Sequence, residues 1–201
     1  MLIIGLAGGI ASGKSFVAGC FEQLGAALID ADRVGHEVLA QSSIQSLLVD
    51  RWGSEIVVNH QVDRRRLAAI VFDPDDDGEQ LLELERITHP PIRQRIESRI
   101  TELRTAGQVP AVVLDAPIMF RAGWGDLCDQ IVFVDVPVHV RQQRAALRGW
   151  KEGELERRES RQVAIDKKRK MSTCVVGNAG SEQKTRDQVK SLWLQWKLSP
   201  E

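Results

Sequence analysis

The stretch Leu2-Ile3-Ile4-Gly5-Leu6-Ala7-Gly8-Gly9-Ile10-Ala11-Ser12-Gly13-Lys14-Ser15 decides the fold. Leu2 to Ala7 is a short β-prone run, it breaks at Gly8-Gly9, and apolar residues then recur at helical spacing from Lys14 to Leu24. The segment from Gly8 to Ser15 reads G-x-x-x-x-G-K-[S/T] without a gap. Terminal glycines let such a loop curl until successive N–H groups point inward at phosphate oxygens. Lys14 then reaches the β- and γ-phosphates, Ser15 offers a hydroxyl to Mg²⁺, and the following helix turns its positive end to the anion. The alternative is a glycine turn that only caps a helix. The placement between a strand and a helix favours a site for ATP or GTP, with contacts expected from Ala11, Ser12, Gly13, Lys14, Ser15 and Phe16. Ala11 is expected in an ordinary backbone conformation.

Outward from the loop, Gly25 stops the helix, and Ala26 to Ile29 with Asp30 reads as a second strand ending in two carboxylates, Asp30 and Asp32. From Arg33 to Arg104 the strand signal disappears. Amphipathic stretches at Val34–Leu39, Ile44–Trp52, Arg64–Phe72 and Gln80–Leu103, the last interrupted by Pro90-Pro91, predict an all-helical insertion. Ala111–Leu114, Ile131–Val136 and Cys174–Val176 read as further strands, Pro137 opens a helix, and Ser181–Trp196 closes the chain as another. Strands separated by helices predict a parallel, three-layer α/β/α sheet.

The 201 residues carry 27 Lys+Arg against 28 Asp+Glu, a net charge of −1 that argues against a general nucleic-acid-coating surface. At 43% hydrophobic and 27% charged, the composition provides a sizeable core and excludes disordered and collagen-like classes. Cys20, Cys128 and Cys174 are odd in number and widely spaced, which suggests neither a disulfide framework nor a zinc site. Without a membrane-spanning run or a basic leader, the expected home is the cytoplasm. Oligomeric state is left open between monomer and homo-oligomer. The charge is uneven: Arg141 to Lys170 holds 11 Lys+Arg against 5 Asp+Glu, either a solvated helix face with i,i+4 ion pairs or a functional cluster. Asp73 to Asp77 reads as a solvated turn capping the next helix.

No N-K-x-D occurs to read a guanine base, and large ATPase modules exceed this length. A small kinase is the economical reading, and phosphoryl transfer there is achieved by positioning and charge stabilisation. It requires a carboxylate at the acceptor hydroxyl and cations that close over the triphosphate. Asp30 and Asp32, at a strand's C-terminal end, can supply the first. Arg144 and Arg148, about one turn apart, can supply the second. An Asp-x-Asp that merely caps a helix is the competing interpretation.

The chain resembles the dephospho-CoA kinase family over nearly its whole length. The resemblance rests on IGLAGGIASGKS at Ile4–Ser15, Leu24-Gly25 followed by Ile29-Asp30-Ala31-Asp32, His89-Pro90-Pro91-Ile92-Arg93, and Ala116-Pro117-Ile118-Met119-Phe120. It implies a P-loop nucleoside triphosphate hydrolase fold, with a core of residues 1–32, 108–138 and 171–201, a helical substrate-binding insertion at 33–107 and a lid at 139–170. It also implies Mg²⁺-dependent transfer of the γ-phosphoryl of ATP to the ribose 3′-hydroxyl of dephospho-CoA. In that reading Asp32 is the base, Lys14, Arg144 and Arg148 act in catalysis, Ser15 holds the metal, and Asp30, His89 and Arg93 bind substrate. Arg64, Arg65 and Arg66 are read as solvent-facing, with contact to a substrate phosphate as the lesser alternative, and Asn178 as either an adenine-side residue or a turn residue. Asp115 has the placement of a metal-binding carboxylate at a strand end. Ala7, Ala11, Phe16, Arg121, Thr173 and Gly177 depart from the family pattern. They keep open another small-molecule or nucleoside kinase, or a catalytically impaired ATP-binding paralogue.

Overall fold

The computed structural model describes residues 1–73 and 77–198. The loop quoted above follows β1 (Leu2–Gly8), the middle strand of a fully parallel five-stranded sheet. Its partners are β2 (Ala27–Asp30), β5 (Ala111–Asp115), β6 (Gln130–Asp135) and β7 (Cys174–Gly177), in the order β2-β5-β1-β6-β7. Counting only these strands along the chain, the order is 2-3-1-4-5. The register places Asp30 beside Asp115, and Asp115 beside Leu6, so two carboxylates end neighbouring strands.

Strand alternation sends Ile4 and Leu6 to one face, where they join Val113, Val132, Val134 and Val176. That face is covered by α1 (Lys14–Gln23), through Val17, Ala18 and Phe21, and by α9 (Glu182–Gln195), through Val189 and Trp193. Phe21 lies 6.4 Å from Trp193 and 6.1 Å from Trp196 between ring centroids. Each large side chain removed from water here contributes about 1.5–3 kcal/mol, which fixes the sheet edge that carries the loop. On the opposite face, Gly5 leaves room for Cys128 and Met119, whose sulfur atoms both lie 2.7 Å from where a Cβ would stand.

The remaining helices are α2 (Ala31–Leu39), α3 (Ser42–Trp52), α4 (Arg64–Val71), α5 (Glu79–Ala106), α6 (Val138–Leu147), α7 (Glu154–Glu159) and α8 (Ile165–Lys170). Backbone contacts divide the chain into two compact units, Met1–Asp30 with Ile100–Glu201, and Ala31–Arg99. Within the second, the expectation of helix alone is corrected. β3 (Val57–Val58) and β4 (Gln61–Val62) form a small antiparallel hairpin, turned by Asn59 and His60 at φ of 52° and 61°. The expected break at Pro90-Pro91 is also absent, since α5 runs through both prolines. Proline removes N–H donors and does not by itself dictate the path when the turns on either side are held. Here Thr88, Ile92 and Ile96 are buried at i, i+4 and i+8, and the Thr88 hydroxyl donates to the Leu84 carbonyl at 2.7 Å. Of the acidic turn at 73–77, residues 74–76 lie outside the described residues.

Candidate active site

Gly13, at φ 86°, adopts a left-handed conformation that starts α1, and a Cβ there would collide with the Asn178 side chain. Ala11 also has a positive φ, 61°, which corrects the expectation of an ordinary conformation at that position. The first turn of α1 therefore begins directly at Lys14 and Ser15, with Ser15 exposed. Ser12 Oγ is buried and meets no hydrogen-bond partner among the described residues. Phe16 turns its ring away into apolar packing, with the Arg186 guanidinium 4.9 Å above it.

The basic segment divides into α6, α7 and α8, and much of it is turned inward. Arg144 donates from Nη1 to the carbonyls of Ala11 at 3.4 Å and Ser12 at 3.2 Å, and from Nη2 to the Asn178 carbonyl at 2.7 Å. Asn178 Nδ2 donates to Ser12 O at 2.8 Å, while its Oδ1 accepts from Thr185 Oγ1 at 3.1 Å. Asn178 is thus neither a plain turn residue nor exposed: it ties the loop backbone to α9. Arg148, the C-terminal cap of α6, is exposed. Three residues that sequence reasoning missed complete the surround. Arg141, only 5% exposed, pairs with Glu159, whose Oε1 accepts the Ile10 N–H of the loop at 2.9 Å. Lys168, 4% exposed, donates to Gln162 Oε1 at 2.6 Å and to Gly8 O at 3.4 Å. Burial, followed by the Lys14 charge, lowers its pKa to about 8. No sequence signal marks these residues, because they belong to a charge-rich segment in which i,i+4 pairs such as Glu154–Arg158, at 2.6 Å, also occur.

The other predicted residues take these places. Asp30 ends β2 and is exposed; Asp32 lies in the first turn of α2. His89 and Arg93 sit one turn apart on α5, His89 Nε2 lying 3.9 Å from Glu85 and Arg93 Nε 2.8 Å from Glu97. In the same unit Arg64, Arg65 and Arg66 are exposed, as expected, with Arg64 meeting His36 and Arg66 donating to Glu55 O at 2.7 Å. Arg99 bonds Glu37 at 2.6 Å and holds its carboxyl below the ordinary value. Among the departures, Thr173 Oγ1 accepts the Ile131 N–H at 2.9 Å, Gly177 exchanges two hydrogen bonds with Gln188, and Arg121 reaches Arg161 O at 3.4 Å. Among the described residues no group of three or more His, Cys, Asp or Glu is placed to hold a metal, and no helix is long and apolar enough to cross a membrane.

A phosphate loop at the C-terminal edge of the middle strand of a 2-3-1-4-5 parallel sheet, with an arginine on its carbonyls, defines a P-loop kinase. Residues 2–184 match the family model described as dephospho-CoA kinase. The chain belongs to the dephospho-CoA kinase family. It is 37% identical over 198 residues to the dephospho-CoA kinase of Carboxydothermus hydrogenoformans, covering 97% of this chain and 94% of the relative. It is 39% identical over 196 residues to that of Geobacter metallireducens, covering 96% of each. Among solved structures, TT1252 from Thermus thermophilus superposes with a TM-score of 0.79 at 31% identity, covering 96% of this chain and 97% of that one.

Proposed function

We propose that this chain transfers the γ-phosphoryl group of ATP to the ribose 3′-hydroxyl of dephospho-CoA, giving coenzyme A and ADP, the last step of coenzyme A biosynthesis. The observation that carries the reading is the complete phosphate loop, packed closely on Asn178 at Gly13 and bonded through its carbonyls by Arg144 and Asn178, in a chain of this family. The 3′-oxygen forms a bond to the γ-phosphorus, the bond from that phosphorus to the bridging β,γ-oxygen breaks, and ADP leaves. Asp32 accepts the hydroxyl proton. Lys14 and Arg144 meet the charge on the transferred group, and Arg148 joins them when the basic segment closes. The loop from Ala11 to Phe16 binds ATP through its backbone, while Asp30, His89 and Arg93 bind the acceptor.

The exposed Ser15 hydroxyl at the start of α1 and the paired carboxylates Asp30 and Asp115 offer only hard oxygen donors, a set that suits Mg²⁺. Ser15 would hold the ion together with phosphate oxygens. When bound, Mg²⁺ would offset phosphate charge. The core, helical insertion and lid retain the boundaries expected from sequence in this reading, and the cytoplasm supplies both substrates.

A coupled ADP-release assay with ATP, Mg²⁺ and dephospho-CoA tests the proposal. Saturable turnover is expected. Turnover on a nucleoside, a nucleoside monophosphate or shikimate, with none on dephospho-CoA, would overturn it. Asp32→Asn should lower kcat by roughly 10²-fold or more while leaving ATP binding unchanged, as loss of a general base does. An unchanged kcat would remove Asp32 from that role.

A further inference from the structure

We propose that Lys168 is a second phosphate-binding ammonium, which works beside Lys14 on the nucleotide's phosphates. Lys168 is only 4% exposed, yet its hydrogen-bond partners among the described residues are neutral: Gln162 Oε1 and the Gly8 carbonyl. A lysine ammonium has three donors, and burying it without a counter-charge in contact is costly. Lys168 lines one narrow cavity with Lys14, Gly8, Ala116 and Pro117, at the C-terminal end of β1. The two ammonium groups therefore face the same small space, and each raises the cost of the other.

The charged groups around Lys168 come from every element packed near it. Lys14 on α1 and Arg141 on α6 disfavour its charge; Glu159 on α7 favours it, but that carboxylate is already engaged by Arg141 and by the Ile10 N–H. A second cavity lined by Lys168 adds Arg121 and Arg161. The surroundings are cationic in excess, and an anion with several oxygens is the ligand that relieves them. A polyphosphate seated on the loop has that chemistry, since the loop N–H groups and Lys14 address the same oxygens. The position in α8 also explains why a lysine from the far end of the basic segment returns to the β1 carbonyl at Gly8.

This inference rests on nucleotide occupying the loop, so its test is direct binding without any acceptor. ATP titrations by calorimetry on the full chain compare the wild type with Lys168→Met and Lys168→Arg. Loss of one charge-assisted contact should weaken ATP binding roughly tenfold or more in Lys168→Met, while Lys168→Arg retains most of the affinity. AMP, which lacks the outer phosphates, should bind the wild type and Lys168→Met alike. A structural role would not produce the accompanying pH effect. Below a pKa of about 8 Lys168 is charged before and after binding; above it, binding must take up a proton, so wild-type ATP affinity falls as pH rises. The fall should approach tenfold per pH unit and be absent in Lys168→Arg.

Equal ATP affinity in folded Lys168→Met would overturn the proposal. A flat wild-type profile between about pH 7 and 9.5 would also do so, and that measurement stands even when the methionine variant does not fold. Failure of the wild type to bind ATP at all would instead count against the kinase reading itself.

Discussion

Ala11 holds a φ of 61° inside the phosphate loop, a conformation that costs an L-residue about 1–2 kcal/mol relative to glycine. Part of that cost is offset by burial of its methyl group, which is 6% exposed, and by the greater unfolded-state freedom glycine would bring. Ala11→Gly is therefore expected to raise stability by about 0.5 kcal/mol, near 1–2 °C in Tm. Ala11→Val should lower it, because a β-branched side chain cannot relax at positive φ. A lower Tm for the glycine variant would contradict the strain argument. At this scale the sequence was most informative where a position serves a single purpose, as Gly13, Lys14 and Ser15 do in their expected places at the start of α1. It was least informative where a charged residue turns inward. Arg141, Glu159 and Lys168 have the same local pattern as their exposed neighbours, and only the tertiary path of α6 to α8 separates them.

Elements with long periodic signals were legible nearly to their ends. β1, β5 and β6 appear as buried runs, and α1 and α9 as amphipathic helices, because packing on a two-sided parallel sheet demands those patterns. The β3–β4 hairpin was not legible. Two residues per strand hold no period, and Asn59-His60 lacks the glycine that usually marks such a turn. The continuity of α5 was hidden for a different reason: Pro90 and Pro91 signal a stop locally, while the buried face of Thr88, Ile92 and Ile96 continues across them. β1 itself has little tolerance at Gly5, where a methyl group would meet two sulfur atoms at 2.7 Å. Gly5→Ala is expected to cost about 1–3 kcal/mol, seen as a lower midpoint in urea with an unchanged m-value. No shift in midpoint would show that Met119 and Cys128 can move aside freely.

For the whole molecule, the net charge of −1 conceals an uneven distribution: acids end the strands, and cations converge on the loop. Cys20, Cys128 and Cys174 are free thiols. Burial first, and Asp129 second, push the Cys128 thiol up to about 12, and burial raises Cys20 as well. Both remain protonated at about pH 8, so native protein treated with iodoacetamide should keep Cys20 and Cys128 unmodified, whereas unfolding in guanidinium should expose three reactive thiols. Labelling of Cys128 in the native state, read by peptide mass spectrometry, would show that this side of the sheet opens. The strand order carries a further consequence for synthesis. Among the described residues β1 pairs with β5 and β6, which begin at Ala111 and Gln130. A ribosome that has translated half of the chain has therefore delivered the middle strand with neither neighbour, and the apolar run Leu2–Ala7 stays exposed, its backbone bonded to water, until they follow.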